Sequence, residues 1–193
     1  MFIYVVTLVV VLPLYYFDIE TTGIEPLSDQ VITIQYAMLN DNLDNVGELQ
    51  ILKIWEFGSE KELISEFLAF SNFFEENFAF VPVGNNLIFD IIFLYERASY
   101  YNLVSTPLWK VLLDKPFLDL KPVAVMINNM RFQGYNKLID MNMKDTSITG
   151  SDVPRLFKEG KYTEIEKYIR SEFEATLKFA KDALKQCRKS IRD

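Results

Sequence analysis

Histidine is absent from all 193 residues, and cysteine occurs once, at Cys187. Without imidazole there is no Ser-His-Asp or Cys-His catalysis, no histidine general base and no zinc site built on histidine. A lone cysteine excludes an internal disulfide and any CxxC redox or metal pair. Chemistry on this chain therefore rests on carboxylates, hydroxyls, amines or a metal held by oxygen, and oxygen ligands favour Mg²⁺ or Mn²⁺ over zinc. Positive charge is also scarce: 20 Lys and Arg face 27 Asp and Glu, a net charge of −7. No overall positive field draws nucleic acid to such a surface, although a bound cation inverts the field locally. No repeat, low-complexity tract or Gly/Ser linker divides the chain, and half of it is hydrophobic. One domain over residues 1–193 is the expectation.

The run Phe2 to Phe17 (FIYVVTLVVVLPLYYF) is almost wholly apolar. It falls short of the ~20 residues a membrane span needs. Pro13 interrupts it, and no Lys or Arg precedes Lys53, so the basic start of a secretory signal is missing. The reading is a core strand from Leu14, preceded over residues 1–13 by an apolar extension or an extra strand. Membrane association through Phe2 to Leu12 is the remoter alternative to a monomeric cytoplasmic protein.

Further strands are expected at Gln30 to Leu39 and Glu48 to Trp55, an antiparallel pair joined by Asn40 to Gly47. Ser59 to Asn77 reads as a helix, with Ser59 as N-cap, Glu62 at capping-box spacing, and Leu63, Phe67, Phe70 and Phe74 at helical intervals. A strand at Phe78 to Val83 leads through Gly84 into a helix from Asn86 to Tyr101. A short strand follows at Phe117 to Leu120, where Asp119 suits an N-cap. A helix and a loop fill Lys121 to Lys144, and a last long helix runs from Thr163 to Lys189. Strands followed by strands interleaved with helices predict a mixed α/β sheet with helices packed on it.

The sharpest chemical feature is FDIETTG, Phe17 to Gly23. Residues two apart on a strand face one side, so Asp18 and Glu20 project together. Adjacent carboxylates repel unless something positive lies between them, and a divalent cation or a polar rim at a strand end are the two resolutions. In GNNLIFDIIFL, Asn86 and Asp90 share a helix face, and Asp90 stands among apolar neighbours where an unpaired carboxylate is costly. In the last helix Ile165, Ile169, Phe173, Leu177, Ala180 and Leu184 form an apolar stripe. Tyr168 and Glu172 lie together at its edge, while Glu174 falls on the outer face.

FDIETTG, then NNLIFD, then a tyrosine followed one turn later by an acid and by Thr176, resembles the three exonuclease motifs of the DEDD superfamily. The likeness is to its tyrosine branch, the 3′–5′ exonucleases related to the proofreading domain of family B DNA polymerases, and it extends over Gly150 to Thr176. The resemblance implies a ribonuclease H-like fold, an α/β mixed five-stranded sheet with helices on both faces. It implies four acids holding two Mg²⁺ or Mn²⁺ ions, here Asp18, Glu20, Asp90 and Glu172, with Tyr168 orienting the attacking water. The fourth acid of that family is normally aspartate, so Glu172 departs from the pattern. The implied activity is removal of nucleoside monophosphates from single-stranded or frayed DNA 3′ ends, with RNA as a further substrate and a replication or repair protein as partner. The alternative is a catalytically impaired module of the same fold that binds nucleic acid or such a partner.

By the same resemblance Thr21, Thr22 and Gly23 approach the 3′-terminal nucleotide; a plain turn that needs glycine accounts for them equally. Asn86 either steadies a ligand or substrate or caps its helix. Lys178, Lys181, Lys185, Arg188, Lys189 and Arg192 guide a strand or form a solvated face that complements the helix dipole. Phe73, Phe74, Tyr95, Tyr100 and Tyr101 are better read as core than as base-stacking platforms.

Overall fold

The computed structural model describes residues 13–75, 78–134, 137–143 and 147–190. Phe2 to Leu12, expected as an extension or extra strand, lies outside the described residues, as do Arg192 and the side chains of Cys187 and Lys189. Strands β1 (Leu14–Thr21), β2 (Val31–Leu39) and β3 (Gln50–Lys53) pair antiparallel in succession. Strands β4 (Val81–Gly84) and β5 (Leu118–Asp119) join the other edge in parallel, giving the order β3-β2-β1-β4-β5. Parallel neighbours need long crossovers. Helices α1 (Ile54–Phe57) and α2 (Glu60–Ser71) supply the first, and α3 (Leu87–Tyr100) and α4 (Leu108–Asp114) the second. Helices α5 (Leu120–Ile127), α6 (Lys137–Asp140), α7 (Val153–Lys158) and α8 (Tyr162–Ser190) complete the chain.

Alternation along β1 divides the core in two. Phe17 and Ile19 pack with Leu63 and Phe67 of α2 and Ile91 and Leu94 of α3. Tyr16 points the other way, into a cluster with Val83, Leu120 of α5 and Phe173 and Leu177 of α8. Helices therefore cover both faces, as expected. The β1–β2 register shifts between Glu20 and Thr21, because Thr21 pairs with Val31 and Glu20 with Thr33. Ile32 is the extra residue of that bulge. It joins Val153, Leu156, Ile165 and Ile169 under α7 and α8, while Val31 packs on the α2–α3 side.

The predicted elements differ from the observed ones mainly at their ends. The helix expected to reach Asn77 stops at Ser71, because Asn72 takes the left-handed conformation (φ 47°) and turns its N–H back to Leu68. Ser59 does cap it, accepting from the Glu62 N–H at 3.2 Å. The strand expected through Trp55 gives way at Ile54 to one helical turn closed by left-handed Gly58. Helices α4 and α7 had no counterpart among the expectations. Both are short, and α4 lies in the unassigned stretch before Phe117. Among the described residues no helix is long and apolar enough to cross a membrane.

Gly84 sets how closely β4 approaches β1. A Cβ there would stand 2.4 Å from the Phe17 carbonyl oxygen and 2.8 Å from a Leu87 methyl carbon. The first contact is with backbone and cannot be relieved by a rotamer change. Gly84→Ala is expected to destabilise the fold by ~1–3 kcal/mol, read as a lower urea midpoint at unchanged slope; an unchanged midpoint would show that the two strands separate freely.

Candidate active site

The pairing of β1 with β4 ends at Tyr16 and Val83, where β4 turns off through Gly84 into α3. Strand β1 runs on to Thr21, paired only with β2. Asp18 and Glu20 thus project from the part of the sheet that β4 has left, towards the α8 side. Asp90, in the first turn of α3, comes back to this opening beside the Asp18 carboxylate. The departure of one strand brings a residue from a distant segment beside the first two.

Helix α8 supplies the rest. Carboxylate oxygens of Asp18, Glu20 and Glu172 lie within 4.8 Å of one another. The extra methylene of glutamate therefore leaves the fourth acid within the cluster. Asp90 stands beside this trio, close enough for its charge to act on Glu20 and to feel Asp18 and Glu172. One turn before Glu172, the buried Tyr168 forms a side-chain hydrogen bond with it. Gly150 lies against that hydroxyl, since a Cβ there would stand 3.2 Å from it. Gly150 follows Thr149, which forms a capping box with Asp152 and so fixes this turn.

Burial, followed by the charges of their neighbours, pushes Asp18, Glu20 and Asp90 upward. Asp18 and Glu20 are raised well above the usual carboxylate range by desolvation and then by Glu172; Asp90 is raised by desolvation and then by Asp18. Every charge named in these interactions is negative. Such a set of hard oxygen donors, close together and mutually repelling, fits a divalent cation. The Tyr168 phenol is driven upward by burial and by Glu172, so it stays protonated and acts as a hydrogen-bond donor.

Sequence reasoning missed the group that holds Asp18. Gln35, directly opposite it in the β1–β2 register, donates from Nε2 to Asp18 Oδ2 at 2.7 Å. Thr33 Oγ1 donates to Gln35 Oε1 at 3.1 Å, which fixes which end of the amide faces the carboxylate. Both residues are fully buried. The available signal was two polar residues within an otherwise apolar strand, VITIQYAML, on the face that carries Asp18. Tyr16 was missed as well: it is buried beneath all four acids, whose charges add to burial in raising its hydroxyl.

The turn after β1 is internally braced. Thr21 Oγ1 donates to the Gly23 carbonyl, and Thr22 Oγ1 donates to Asp29 Oδ1 at 3.2 Å while accepting from the Gln30 N–H at 3.0 Å. A Cβ on Gly23 would meet the Asp29 carboxylate at 2.3 Å. Asn86 precedes α3 in the left-handed conformation and makes no side-chain cap. Its Oδ1 accepts from Lys121 Nζ at 2.8 Å, and its N–H donates to Asp119 at 2.8 Å, while Asp119 also caps α5 as expected. Of the basic residues on α8, Lys181 pairs with Asp44 at 3.2 Å and Arg188 bonds Asn42 at 2.8 Å. They dock the helix on the β2–β3 connection. Phe73 and Phe74 are core, as expected, whereas Tyr100 is exposed.

The sequence pattern of the RNase H superfamily matches residues 15–182. No curated protein matches the chain. Among solved structures, E. coli exonuclease I in complex with a dT13 oligonucleotide shares 18% identity over 63% of this chain and 31% of that one, with a TM-score of 0.43. Exonuclease I from Methylocaldum szegediense shares 18% over 63% of this chain and 30% of that one, at 0.45. An exonuclease I complex with SSB-Ct shares 16% over 70% and 32%, at 0.44. This chain spans about a third of the length of these exonuclease I chains.

The raised carboxylates have a consequence for stability. An acid whose pKa rises on folding binds its proton more tightly in the native state. Its contribution is then most favourable below the unfolded value, ~4, and declines as pH rises through the native value. In EDTA the melting temperature is expected to fall as pH is raised from that value. Glu20→Gln, which removes one of the repelling charges, is expected to flatten this decline and to melt higher at neutral pH. A variant profile superimposable on wild type would mean that Glu20 carries no such strain.

Proposed function

This chain belongs to the RNase H superfamily, and we propose that it is a metal-dependent 3′–5′ exonuclease acting on single-stranded or frayed DNA ends, with RNA ends as a further substrate. The observation that carries this reading is the convergence of Asp18, Glu20 and Glu172 within 4.8 Å, with Asp90 beside them. These are the acids of the three segments that resemble the exonuclease motifs. The reading places Asp18, Glu20, Asp90 and Glu172 as holders of two Mg²⁺ or Mn²⁺ ions. A replication or repair protein that delivers the strand suits a surface with a net charge of −7.

When bound, a pair of such ions supplies an activated water and a Lewis acid for the leaving 3′ oxygen. The chain's own groups determine where these act. Gln35 holds Asp18 by a direct hydrogen bond, so that carboxylate is not free to rotate. Tyr168, held protonated and bonded to Glu172, presents its hydroxyl beside the cluster and positions the water by hydrogen bonding. The braced turn Thr21 to Gly23 lies at the end of β1, next to Glu20. It meets the terminal nucleotide with a fixed backbone, and Asn86 and Lys121 flank the strand on the α3 side.

A 5′-labelled single-stranded oligonucleotide incubated with Mg²⁺ or Mn²⁺ is expected to give a ladder shortening from its 3′ end. Asp18→Asn and Glu172→Gln are expected to lose more than ~10²-fold of that rate, and Gln35→Leu, which acts only through Asp18, roughly 10–100-fold. Tyr168→Phe is expected to lower kcat with little change in KM. Equal trimming by wild type and Asp18→Asn would refute the site. Binding of the oligonucleotide with no trimming under either ion would favour the impaired-module alternative.

A further inference from the structure

At the entry to α3 three residues are tied into one closed ring. Asp119, the last residue of β5, accepts through a single carboxylate oxygen from the Asn86 N–H at 2.8 Å and from the Lys121 N–H at 2.9 Å. The Lys121 side chain then turns back, its ammonium donating to Asn86 Oδ1 at 2.8 Å. Helix α5 packs through Leu120 and Ala124 on the sheet face shared by Tyr16 and α8, so the ring stands on the side of the carboxylates. Asn86 lies one helical turn before Asp90, on the same face of α3.

The ring fixes which end of the Asn86 amide meets lysine. An ammonium has donors and no acceptor, so the atom facing it is the amide oxygen, and the other end of the amide is the Nδ2 donor. Oδ1 goes to Lys121 instead of capping α3, where Asn86 takes the left-handed conformation (φ 61°). An –NH₂ group and an ammonium thus stand side by side, both residues half-buried, and together they present donors and positive charge. The cluster one turn away has the opposite character: the charges acting on Asp18, Glu20 and Asp90 there are those of other carboxylates.

The phosphate being cut faces those carboxylates and the cations they suit, whereas the next phosphate along a strand must be met by the protein itself. Resting on the exonuclease reading, we propose that Lys121 holds the phosphodiester one nucleotide 5′ of the scissile linkage, a phosphate oxygen accepting from Asn86 Nδ2 beside the ammonium. Phosphate suits this pair because its oxygens accept only and carry charge. Such a contact positions the strand without reading its sequence. Asp119 sets the backbones of both partners, and Lys121 orients the amide, so the three act as a unit.

Steady-state trimming of a 5′-labelled oligonucleotide in Mg²⁺ or Mn²⁺ tests this, beside the same oligonucleotide carrying one neutral methylphosphonate at that linkage. Lys121→Met is expected to raise KM about tenfold or more, the scale of a hydrogen bond to a charged group. Its kcat is expected to hold, because the contact is equal in ground and transition states. The neutral linkage is expected to raise the wild-type KM similarly and to add nothing in Lys121→Met, as befits two changes to one contact. Moved several linkages upstream, it is expected to affect both proteins equally. Anisotropy of the oligonucleotide on the Asp18→Asn protein is expected to show a slope against log salt smaller by ~0.7 once Lys121 is replaced. An unchanged KM or salt slope in Lys121→Met, a fall in kcat alone, or effects that add would each overturn the assignment and leave the exonuclease reading standing. Absence of trimming by wild type would remove both.

Discussion

Mutual repulsion among Asp18, Glu20, Asp90 and Glu172 is the constraint around which this end of the fold is arranged. Nothing in the local preferences of the chain draws four acids together, and burial penalises Asp18, Glu20 and Asp90. They are held there by apolar packing on both sides. Phe17 and Ile19, alternating with the acids on β1, lie in one core, and Phe173, beside Glu172 on α8, lies in the other. The stability of two hydrophobic layers offsets a charged centre that is unfavourable by itself until a cation enters it.

The same logic explains the network on the other side of β1. Glu60 at the start of α2 joins Arg97 of α3 at 2.7 Å, and Arg97 reaches the Pro26 carbonyl at 3.0 Å. Glu60 also takes the Val31 N–H at 2.7 Å, at the first residue of β2. The connection from Thr21 to Val31 is therefore anchored at its middle and its far end by one buried ion pair. Removing either partner of such a pair leaves an uncompensated charge, so the network behaves as a unit. Through it, the helices of one face hold the loop that leaves the carboxylates of the other.

Much of this was legible in the sequence, because its signals were periodic. Alternation at Phe17 to Glu20 placed two acids on one face, and the long stripe of α8 placed Tyr168 and Glu172 at its edge. What was not legible depended on pairing. Gln35 matters only because β2 lies opposite Asp18 in one register, and a single-residue slip would turn it to the far face. Gly150 matters only because its turn closes on a tyrosine hydroxyl. Lys115 lies in a stretch that the sequence left unassigned, and nothing in its neighbours along the chain announced that it is buried. Helix ends were misjudged where an asparagine adopted a left-handed conformation, as at Asn72, since residue type alone permits that state without requiring it.

Helix α8 serves the core and the acid cluster with adjacent residues. Between β1 and α8 sits an aromatic pair, Tyr16 on the strand and Phe173 on the helix, with ring centres 4.9 Å apart at an angle of 69°. Phe173 lies in that core, while Glu172 beside it joins Asp18 and Glu20. Tyr16, next to Asp18 on one face of β1, is the matching residue of the strand, so each element contributes one ring and one acid at neighbouring positions. The ring contact thus ties α8 to β1 at the point where the carboxylates meet, and apolar packing holds together a cluster whose charges repel.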